Sequence, residues 1–268
     1  MYLESLARSL IETARLAGAA VLEIYRRPSF EVALKADASP VTEADLASQA
    51  LILERLAAIA PDVPVLSEEA AALPFAERRR WKRLFIVDPL DGTREFVGRN
   101  GEFTINIALV EEGVPILGVV FAPTLDRTWW GAATIGAFRL DRQEPETAIK
   151  VAAAGGDLRV LASRSHRGGR LGDFLEALPP HRLISVGSSV KFCQVAEGAA
   201  DFYPRLSPTQ EWDTAAGDAV LRAAGGQVLA LDGAPLRYNK EDLLNPFFVA
   251  LGARAVPWQS AVGRGAKK

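Results

Sequence analysis

Two aspartates stand three positions apart in the stretch DPLDGTREF, residues 88–96, directly after a run of four apolar residues. The apolar run predicts a buried strand that ends at Asp88, and Pro89 should stop its hydrogen-bond ladder there. A turn would then bring Asp91 towards Asp88, and two crowded carboxylates repel each other unless a cation lies between them. Mg²⁺ suits such a position because it binds a few carboxylates together with water and phosphate oxygens. The backbone carbonyl of Leu90 would be a further ligand.

The residues that follow Asp91 suit a phosphate group. Gly92 lets the backbone approach a ligand closely. Thr93 and Arg94 predict a short helical turn, whose free amides favour an anion. On its own, such a pattern is more often an acidic turn in which Asp91 caps a helix, so the interpretation needs support from the rest of the chain.

Acidic residues also stand at three other predicted element ends, each beside apolar sequence. Glu68 and Glu69 end the predicted strand VPVLSEE. Asp213 precedes a helix in EWD, and Asp45 lies in the first turn of another helix. Taken singly, these are a solvated turn, a helix N-cap and a capping-box residue. Together with the pair in DPLDGTREF, they favour a site in which several carboxylates hold more than one metal ion.

Apolar periodicity predicts the elements that hold these residues. Spacings of three and four predict an amphipathic helix over residues 3–26 and a second helix capped by Thr42. Apolar strands and a hairpin turned at Glu112 and Gly113 predict an antiparallel sheet in the first half of the chain. The second half alternates strand and helix. The expected fold class is therefore α/β, with a mixed α+β N-terminal part and an α/β C-terminal part in stacked layers.

A polar, glycine-containing stretch near residues 140–157 predicts a domain boundary. We expect an N-terminal α+β domain over residues 1–147, with the helix pair, the metal-binding turn and the antiparallel sheet. The C-terminal α/β domain, residues 148–268, would supply substrate contacts and one metal ligand.

Composition narrows the classes of partner. The 268 residues carry a formal net charge of -2 at pH 7, which argues against binding to nucleic-acid polymers. The single cysteine, Cys193, excludes a disulfide framework. With His166 and His181 as the two histidines, we expect no transition-metal cluster of His and Cys, and any metal should be held by oxygen. The amphipathic N-terminus does not resemble a signal peptide, and no apolar run predicts a membrane span, so we expect a cytoplasmic protein.

Two stretches carry a specific resemblance. DPLDGTREF and, later in the chain, WDTAAGDAVLRAAGG resemble the two signature patterns of the lithium-sensitive, Mg²⁺-dependent phosphatase superfamily that includes inositol monophosphatase and the 3′(2′),5′-bisphosphate nucleotidases. Further stretches, spread over nearly the whole chain, are similar to the CysQ-type nucleotidases: KADASPVTEAD, PDVPVLSEE, RNGEFTINIALV, PILGVVFAP, SRSH, GSSVKFCQVAEG and LNP. The resemblance implies the layered αβαβα sandwich of the inositol monophosphatase and sugar phosphatase fold.

The resemblance also implies roles for individual residues. The metal ligands would be Glu68, Asp88, Leu90 through its carbonyl, Asp91 and Asp213. Thr93 and Asp45 would form the pair that takes a proton from the attacking water. The cofactor implied is about two or three Mg²⁺ ions, and Li⁺ would inhibit the reaction.

The substrate implied is a nucleotide. Glu95 and the stretch RNGEF resemble the nucleotidase branch rather than inositol monophosphatase. That branch implies hydrolysis of adenosine 3′,5′-bisphosphate, a by-product of sulfate assimilation, to AMP and phosphate. An inositol monophosphatase or a related sugar phosphatase is the alternative enzyme. A non-catalytic nucleotide-binding module has less support, because the metal ligands and the pair Thr93 and Asp45 are all present.

Both halves of the chain would contact the substrate. Candidates next to the metals are Gly92, Thr93 and Asp213. Candidates in the second half are Ser163 and His166 in SRSH, Gly187, Ser188 and Lys191 in GSSVK, and Arg205 in YPRL. Helix-start amides together with Lys191 would suit the 5′-phosphate, and His166 would stack on or hydrogen-bond the nucleotide. For each second-half candidate, a cap or a solvated charge is an equally good interpretation.

The remaining expectations concern partners and location. The expected partner is a small nucleotide bisphosphate, without a nucleic-acid polymer or an integral membrane contact. Many members of the superfamily form dimers, so a homodimer is an open alternative for this chain. CysQ-type proteins are described as cytoplasmic and sometimes loosely associated with the inner membrane, although nothing in this sequence encodes an anchor.

Overall fold

The structure, a computed structural model, describes residues 2–35, 40–142, 144–153, 155–162 and 169–265. The helices are α1 (Tyr2–Tyr25), α2 (Glu43–Ile59), α3 (Phe75–Arg78), α4 (Thr93–Val97), α5 (Arg170–Glu176), α6 (Val190–Ala196), α7 (Ala215–Ala223) and α8 (Gln259–Gly265), with a 3-10 turn at Pro123–Leu125. The strands are β1 (Val32–Leu34), β2 (Pro40–Thr42), β3 (Val65–Ser67), β4 (Arg83–Asp91), β5 (Thr104–Glu111), β6 (Val114–Ala122), β7 (Arg127–Ala132), β8 (Gly136–Leu140), β9 (Thr147–Ile149), β10 (Leu158–Ala162), β11 (His181–Ser185), β12 (Phe202–Arg205), β13 (Gln227–Ala230) and β14 (Phe248–Leu251). Among the helices of the described ranges, none combines the length and the apolar character that a membrane crossing requires.

Five layers of secondary structure stack on one another. A seven-stranded sheet, ordered β3-β4-β5-β6-β7-β8-β9, packs against α1 and α2 on one face and against α6 and α7 on the other. The same pair, α6 and α7, covers one face of a five-stranded sheet ordered β11-β10-β12-β14-β13. The other face of that sheet packs against α5 and α8. The predicted αβαβα layering is confirmed, and three buried apolar clusters fill the spaces between the layers.

Local predictions near the site are also confirmed. The side chain of Thr42 accepts from Ala44 N at 3.1 Å, while Asp45 accepts from Thr42 N at 2.7 Å. These contacts form a capping box that starts α2. The hairpin between β5 and β6 turns at Glu112 and Gly113, where φ is +48° and +75°, as a tight two-residue hairpin turn requires.

The strand β4 differs from its prediction, and the difference shapes the site. The hydrogen-bond ladder does not stop at Pro89, because β4 continues to Asp91. Asp88 pairs with Asn106 and Asp91 pairs with Thr104, with a register shift between them. Pro89 lies within this bulge, where the ladder needs no N–H, so its missing donor costs nothing. The bulge turns the strand end and exposes the backbone next to Asp88.

Two glycines let α7 lie close against the seven-stranded sheet. A Cβ on Gly118 in β6 would lie 2.3 Å from the backbone oxygen of Ala216, and a Cβ on Gly131 in β7 would lie 2.8 Å from the Cβ of Ala223 and 2.9 Å from the Cα of Val220. Backbone packed this densely cannot shift cheaply to admit a side chain. The close approach fixes the start of α7 over the sheet, and with it the segment that carries Asp213.

The predicted boundary between residues 147 and 148 falls inside β9, which pairs with β8 at the edge of the seven-stranded sheet. The chain passes from one sheet to the other between β9 and β10. The division into two domains stays a prediction.

Candidate metal and phosphate site

Three acidic side chains from separate elements meet at one end of the seven-stranded sheet. Glu68 directly follows β3, and its backbone N–H donates to the carbonyl of Val87 in the neighbouring strand at 3.2 Å. Asp88 lies where β4 begins its bulge, and Asp213 lies just before α7. Oxygens of the three carboxylates all lie within 4.8 Å of one another. The sequence placed these residues at element ends, and the fold brings the ends together.

Burial makes the negative charges of these three carboxylates energetically unfavourable unless a cation lies between them. Asp88 is 1% exposed, and its Oδ1 accepts from Leu90 N at 3.0 Å. Its Oδ2 is buried with no hydrogen-bond partner among the described residues. Burial, and then the charges of Glu68 and Asp91, raise the pKa of Asp88 well above its usual range. Burial, and then the charge of Asp91, raise the pKa of Asp213 to about 7. An unpaired buried oxygen in an all-carboxylate group fits a hard divalent cation.

Asp91 lies beside the cluster rather than inside it. Its Oδ2 accepts from Ser188 Oγ and from Ser189 N, both at 2.6 Å. The negative charge of Asp91 still contributes to the raised pKa values of Asp88 and Asp213. The charge of Asp91 therefore acts on both carboxylates, and its hydrogen bonds tie the DPLDGT turn to the second half of the chain.

Thr93 and Asp45, predicted as a proton-handling pair, are in contact. Thr93 Oγ1 donates to Asp45 Oδ1 at 3.1 Å and lies 3.3 Å from the carbonyl oxygen of Leu90. Thr93 opens α4 directly after Gly92, whose φ of +93° favours glycine. Asp45 is 1% exposed, and burial raises its pKa despite hydrogen bonds from Thr42. The capping-box carboxylate thus has a second oxygen free to face the site.

Lys35 is a site residue that the sequence analysis did not assign. Its Nζ lies 2.7 Å from Glu68 Oε1 and 2.5 Å from Glu69 Oε1. Burial lowers the pKa of Lys35, but the bonds to Glu68 and Glu69 outweigh that effect and raise it. Lys35 therefore offsets part of the negative charge beside the cluster. The contact joins residues 33 positions apart, and the one sequence signal was its position in the stretch KADASPVTEAD.

Asp213 is not the N-cap of α7. Thr214 occupies that position, and α7 begins at Ala215. Asp213 instead lies in the preceding turn, where its Oδ2 accepts from Gln210 N at 2.8 Å. The simpler structural interpretation of Asp213 is thus wrong, and its carboxylate is directed by the turn towards the acidic cluster.

A cavity of about 220 Å³ adjoins the carboxylates on the side of Asp91 and Asp213. Lys191, 4% exposed, lines it and donates from Nζ to the carbonyl oxygens of Ser188 at 2.6 Å and Val186 at 3.3 Å. Burial lowers the pKa of Lys191 to about 8. Arg205 also lines the cavity, and its Nε is buried with no partner among the described residues. The aromatic part of the wall consists of Phe192, Tyr203 and Phe248.

The predicted anion-binding turn lies at this cavity, although two of its amides already donate to carboxylates. Gly187 N donates to Glu102 Oε2 at 2.8 Å, and Ser189 N donates to Asp91. Ser188 between them has a φ of +53°, an uncommon backbone conformation for a residue with a side chain. Two amides of this turn are therefore already paired with carboxylates, whereas Lys191 and Arg205 bring positive side chains to the cavity. Ser163 and His166, the other predicted contacts, lie outside the described residues.

A second, open cleft of about 820 Å³ also adjoins the acidic residues. It is lined by Glu68, Thr93 and Asp213, with Lys35 at one side. The cleft and the smaller cavity share Gly92, Arg94, Glu95, Thr209 and Asp213 as lining residues. The two spaces therefore adjoin along these five residues, with Glu68 lining the cleft and with Lys191 and Arg205 lining the cavity.

The fold and the site define a layered αβαβα protein with a carboxylate site suited to a hard cation next to a cavity lined by Lys191 and Arg205. The chain belongs to the inositol monophosphatase family, whose model matches residues 2–253. This membership confirms the predicted phosphatase class and its fold.

Individual relatives agree with the predicted branch. The chain is 48% identical to the 3′(2′),5′-bisphosphate nucleotidase CysQ of Shigella flexneri over 240 residues, which cover 88% of this chain and 96% of that protein. The same name and identity apply to the Escherichia coli K12 protein. The crystal structure of CysQ from Bacteroides thetaiotaomicron superposes with a TM-score of 0.83 at 41% identity, covering 95% of this chain and 99% of that one. The structure of an inositol monophosphatase from Anabaena superposes with a TM-score of 0.75 at 26% identity, covering 98% of this chain and 96% of that one.

Proposed function

We propose that this chain is a Mg²⁺-dependent phosphomonoester hydrolase that converts adenosine 3′,5′-bisphosphate to AMP and phosphate. The observation that carries the proposal is the cationic cavity with Lys191 and Arg205 directly beside the acidic cluster. The names of the relatives that are 48% identical support the same substrate class. The reaction would remove a by-product of sulfate assimilation.

The cation would be held by the carboxylates of Glu68, Asp88, Asp91 and Asp213 and by the carbonyl of Leu90. About two or three Mg²⁺ ions, when bound, would neutralise phosphate charge and lower the pKa of a bound water. The buried, unpartnered Oδ2 of Asp88 supports this ligand set. Inhibition by Li⁺ belongs to the same proposal.

Thr93 and Asp45 would move the proton of the attacking water. Thr93 Oγ1 would accept this proton while passing its own to Asp45 Oδ1, along the 3.1 Å contact. Burial raises the pKa of Asp45, which makes it a stronger base than an exposed carboxylate and better matched to neutral pH. Gly92, which has no side chain, lets the phosphate come close to the start of α4.

The second phosphate of the substrate would lie in the smaller cavity. Lys191 and Arg205 supply its positive charge, and Ser188 supplies a hydroxyl. Gly187 positions this turn by leaving room for Glu102, since a Cβ on Gly187 would lie 2.8 Å from Glu102 Oε2. Contacts of Ser163 and His166 with the nucleotide stay predictions.

We also propose a cytoplasmic location and action on a small molecule rather than a nucleic-acid polymer. Homodimer formation and loose association with a membrane face stay predictions without further support from the described residues.

The test is phosphate release from adenosine 3′,5′-bisphosphate, 3′-AMP and inositol 1-phosphate side by side, with Mg²⁺ and with or without millimolar Li⁺. We expect the bisphosphate to give the highest kcat/KM, because 3′-AMP lacks the 5′-phosphate that Lys191 and Arg205 would bind. Loss of activity on chelation of Mg²⁺ is also expected. Equal kcat/KM for the bisphosphate and 3′-AMP would contradict the role of the cavity, and preference for the inositol ester would replace the substrate assignment. No release from any of them would refute the enzymatic proposal.

A further inference from the structure

Residues 237–245, here called the clasp, hold the segment that carries Asp213. Glu211, two residues before Asp213, is fully buried. Its Oε1 accepts from Lys240 N at 3.0 Å and from Lys240 Nζ at 2.5 Å, and its Oε2 accepts from Asn239 N at 2.5 Å. A buried carboxylate with three donors from one loop fixes that loop firmly, because breaking such a group leaves an uncompensated buried charge.

Asn245, at the other end of the clasp, forms hydrogen bonds to residues before and after Asp213 in the sequence. Its Nδ2 donates to the carbonyl oxygen of Gln210 at 2.7 Å and lies 3.2 Å and 3.0 Å from the hydroxyls of Thr209 and Thr214. Its backbone N donates to the Thr209 carbonyl at 2.8 Å. The N–H of the same Gln210 donates to Asp213 Oδ2. The carboxylate of Asp213 is therefore oriented by a residue that is itself held by Asn245.

The clasp is anchored on the half of the chain that carries Asp88. Arg78, 3% exposed, donates to Asn239 Oδ1 at 2.8 Å, and Asn239 Nδ2 donates to the Arg78 carbonyl at 2.8 Å. Tyr238 N donates to the carbonyl of Gly113 at 3.1 Å. Arg78 ends α3, shortly before β4, and Gly113 lies in the hairpin between β5 and β6. The clasp thus connects the sheet that carries Asp88 to the turn that carries Asp213.

We propose that Glu211 and Asn245 are positioning residues that fix Asp213 against Asp88 and Glu68 and thereby set the affinity of the cluster for divalent cations. The inference rests on the proposed function, which places a cation among these carboxylates. Like charges move apart unless something holds them, and the clasp supplies that constraint. Loss of residues that orient metal ligands typically weakens metal binding about 10- to 100-fold.

The test compares Asn245→Ala with a matched control, Asp201→Asn. Asp201 is also buried and accepts from Arg159 N at 2.8 Å and from the Arg159 side chain at 2.7 Å, on the five-stranded sheet. Mg²⁺ binding to the folded proteins is measured by calorimetry and by the rise in Tm with Mg²⁺, without substrate. We expect Asn245→Ala to raise the Kd for Mg²⁺ about 10- to 100-fold and Asp201→Asn to leave it unchanged, although both lower Tm.

Kinetics separate positioning from general damage. For Asn245→Ala, the Mg²⁺ concentration that half-saturates hydrolysis of adenosine 3′,5′-bisphosphate should rise in parallel with Kd. The value of kcat at saturating Mg²⁺ should stay near that of the unmodified protein, because all metal ligands are intact. Glu211→Gln keeps an acceptor oxygen but loses the ion pair with Lys240, so we expect a smaller increase in the Kd for Mg²⁺. If Asn245→Ala does not fold, Glu211→Gln provides the test.

Two outcomes overturn the inference. If folded Asn245→Ala and Glu211→Gln bind Mg²⁺ as tightly as the unmodified protein while melting at lower temperature, as Asp201→Asn does, the clasp only stabilises the fold. If the unmodified protein itself shows no response to Mg²⁺, the proposed metal site fails, and the inference fails with it.

Discussion

Replacing Asp213 with Asn tests whether the buried carboxylates repel each other in the absence of metal. The pKa of Asp213 is raised from 3.8 to about 7 by burial and then by Asp91. Between these two values the folded protein binds more protons at this group than the unfolded chain does, so stability falls as pH rises. From pH 5 to pH 8 the loss is at most about 2.5 kcal/mol, at about 1.36 kcal/mol per pKa unit. It is an upper limit because Asp213 is partly exposed to solvent, which screens the repulsion.

Asp213→Asn removes this titration and keeps the acceptor for Gln210 N. In the presence of a chelator, the free energy of unfolding of the unmodified protein should fall from pH 5 to pH 8 by up to about 2.5 kcal/mol more than that of the variant. For a chain of this size, that difference corresponds to a relative Tm shift of about 5 °C. The assay is thermal or urea unfolding of both proteins at the two pH values, with and without Mg²⁺. Added Mg²⁺ should stabilise the unmodified protein more at pH 8 than at pH 5, and the variant much less.

Asp201→Asn is the control for Asp213→Asn. Burial raises the pKa of Asp201, but Arg159 outweighs it and holds that pKa below its usual range. Stability from such a group is present above the unfolded pKa and is lost only as pH falls through the folded value. Asp201→Asn should therefore cost the same stability at pH 5 and at pH 8. If Asp213→Asn behaves in this way too, the reasoning about repulsion in the cluster is refuted.

Three further predictions concern catalysis and substrate binding. Asp91→Asn should lower kcat at least about 100-fold with an unchanged far-UV circular dichroism spectrum, and near-normal turnover would contradict the metal assignment. Thr93→Val should lower kcat about 100-fold or more with little change in KM, measured by phosphate release, whereas an effect on KM alone would argue against proton transfer. Lys191→Met should raise KM for adenosine 3′,5′-bisphosphate but not for inositol 1-phosphate. In the unmodified protein KM for the bisphosphate should rise above pH 8, because burial lowers the pKa of Lys191 to about 8; a flat profile would exclude Lys191 from phosphate binding.

The sequence predicted the parts of the site that depend on local patterns. Apolar runs followed by acid placed Glu68 directly after β3 and Asp88 late in the parallel neighbour β4, at the same end of the sheet, although β4 continues to Asp91. The capping box placed Asp45 in the first turn of α2, and its second oxygen is free to meet Thr93. Layered packing of helices on sheets followed from the order of the elements, whereas the αβαβα arrangement was implied by the family resemblance. The chemical roles of these residues stay predictions until the variants are measured.

The sequence did not predict the features that depend on contacts between distant segments. Lys35 reaches Glu68 across 33 positions, and Glu211 is held by a loop 28 positions away. A lysine or a glutamate in a polar stretch is usually solvated, so the local pattern did not indicate which distant side chains these two residues would contact. Pro89 was expected to end a ladder that in fact continues through a bulge, because β-bulge positions need no N–H and sequence alone does not show which residue is left unpaired.

The helical layer between the two sheets has a consequence for how the chain is made. During synthesis, the segments with Glu68 and Asp88 leave the ribosome long before Asp213 and the clasp. Until α6 and α7 arrive, one apolar face of the seven-stranded sheet has no cover, and the third carboxylate is missing. Large chains of this kind are prone to aggregation at that stage. A nascent chain therefore lacks the assembled cluster of carboxylates until the segment with Asp213 has been made and α7 has packed on the sheet.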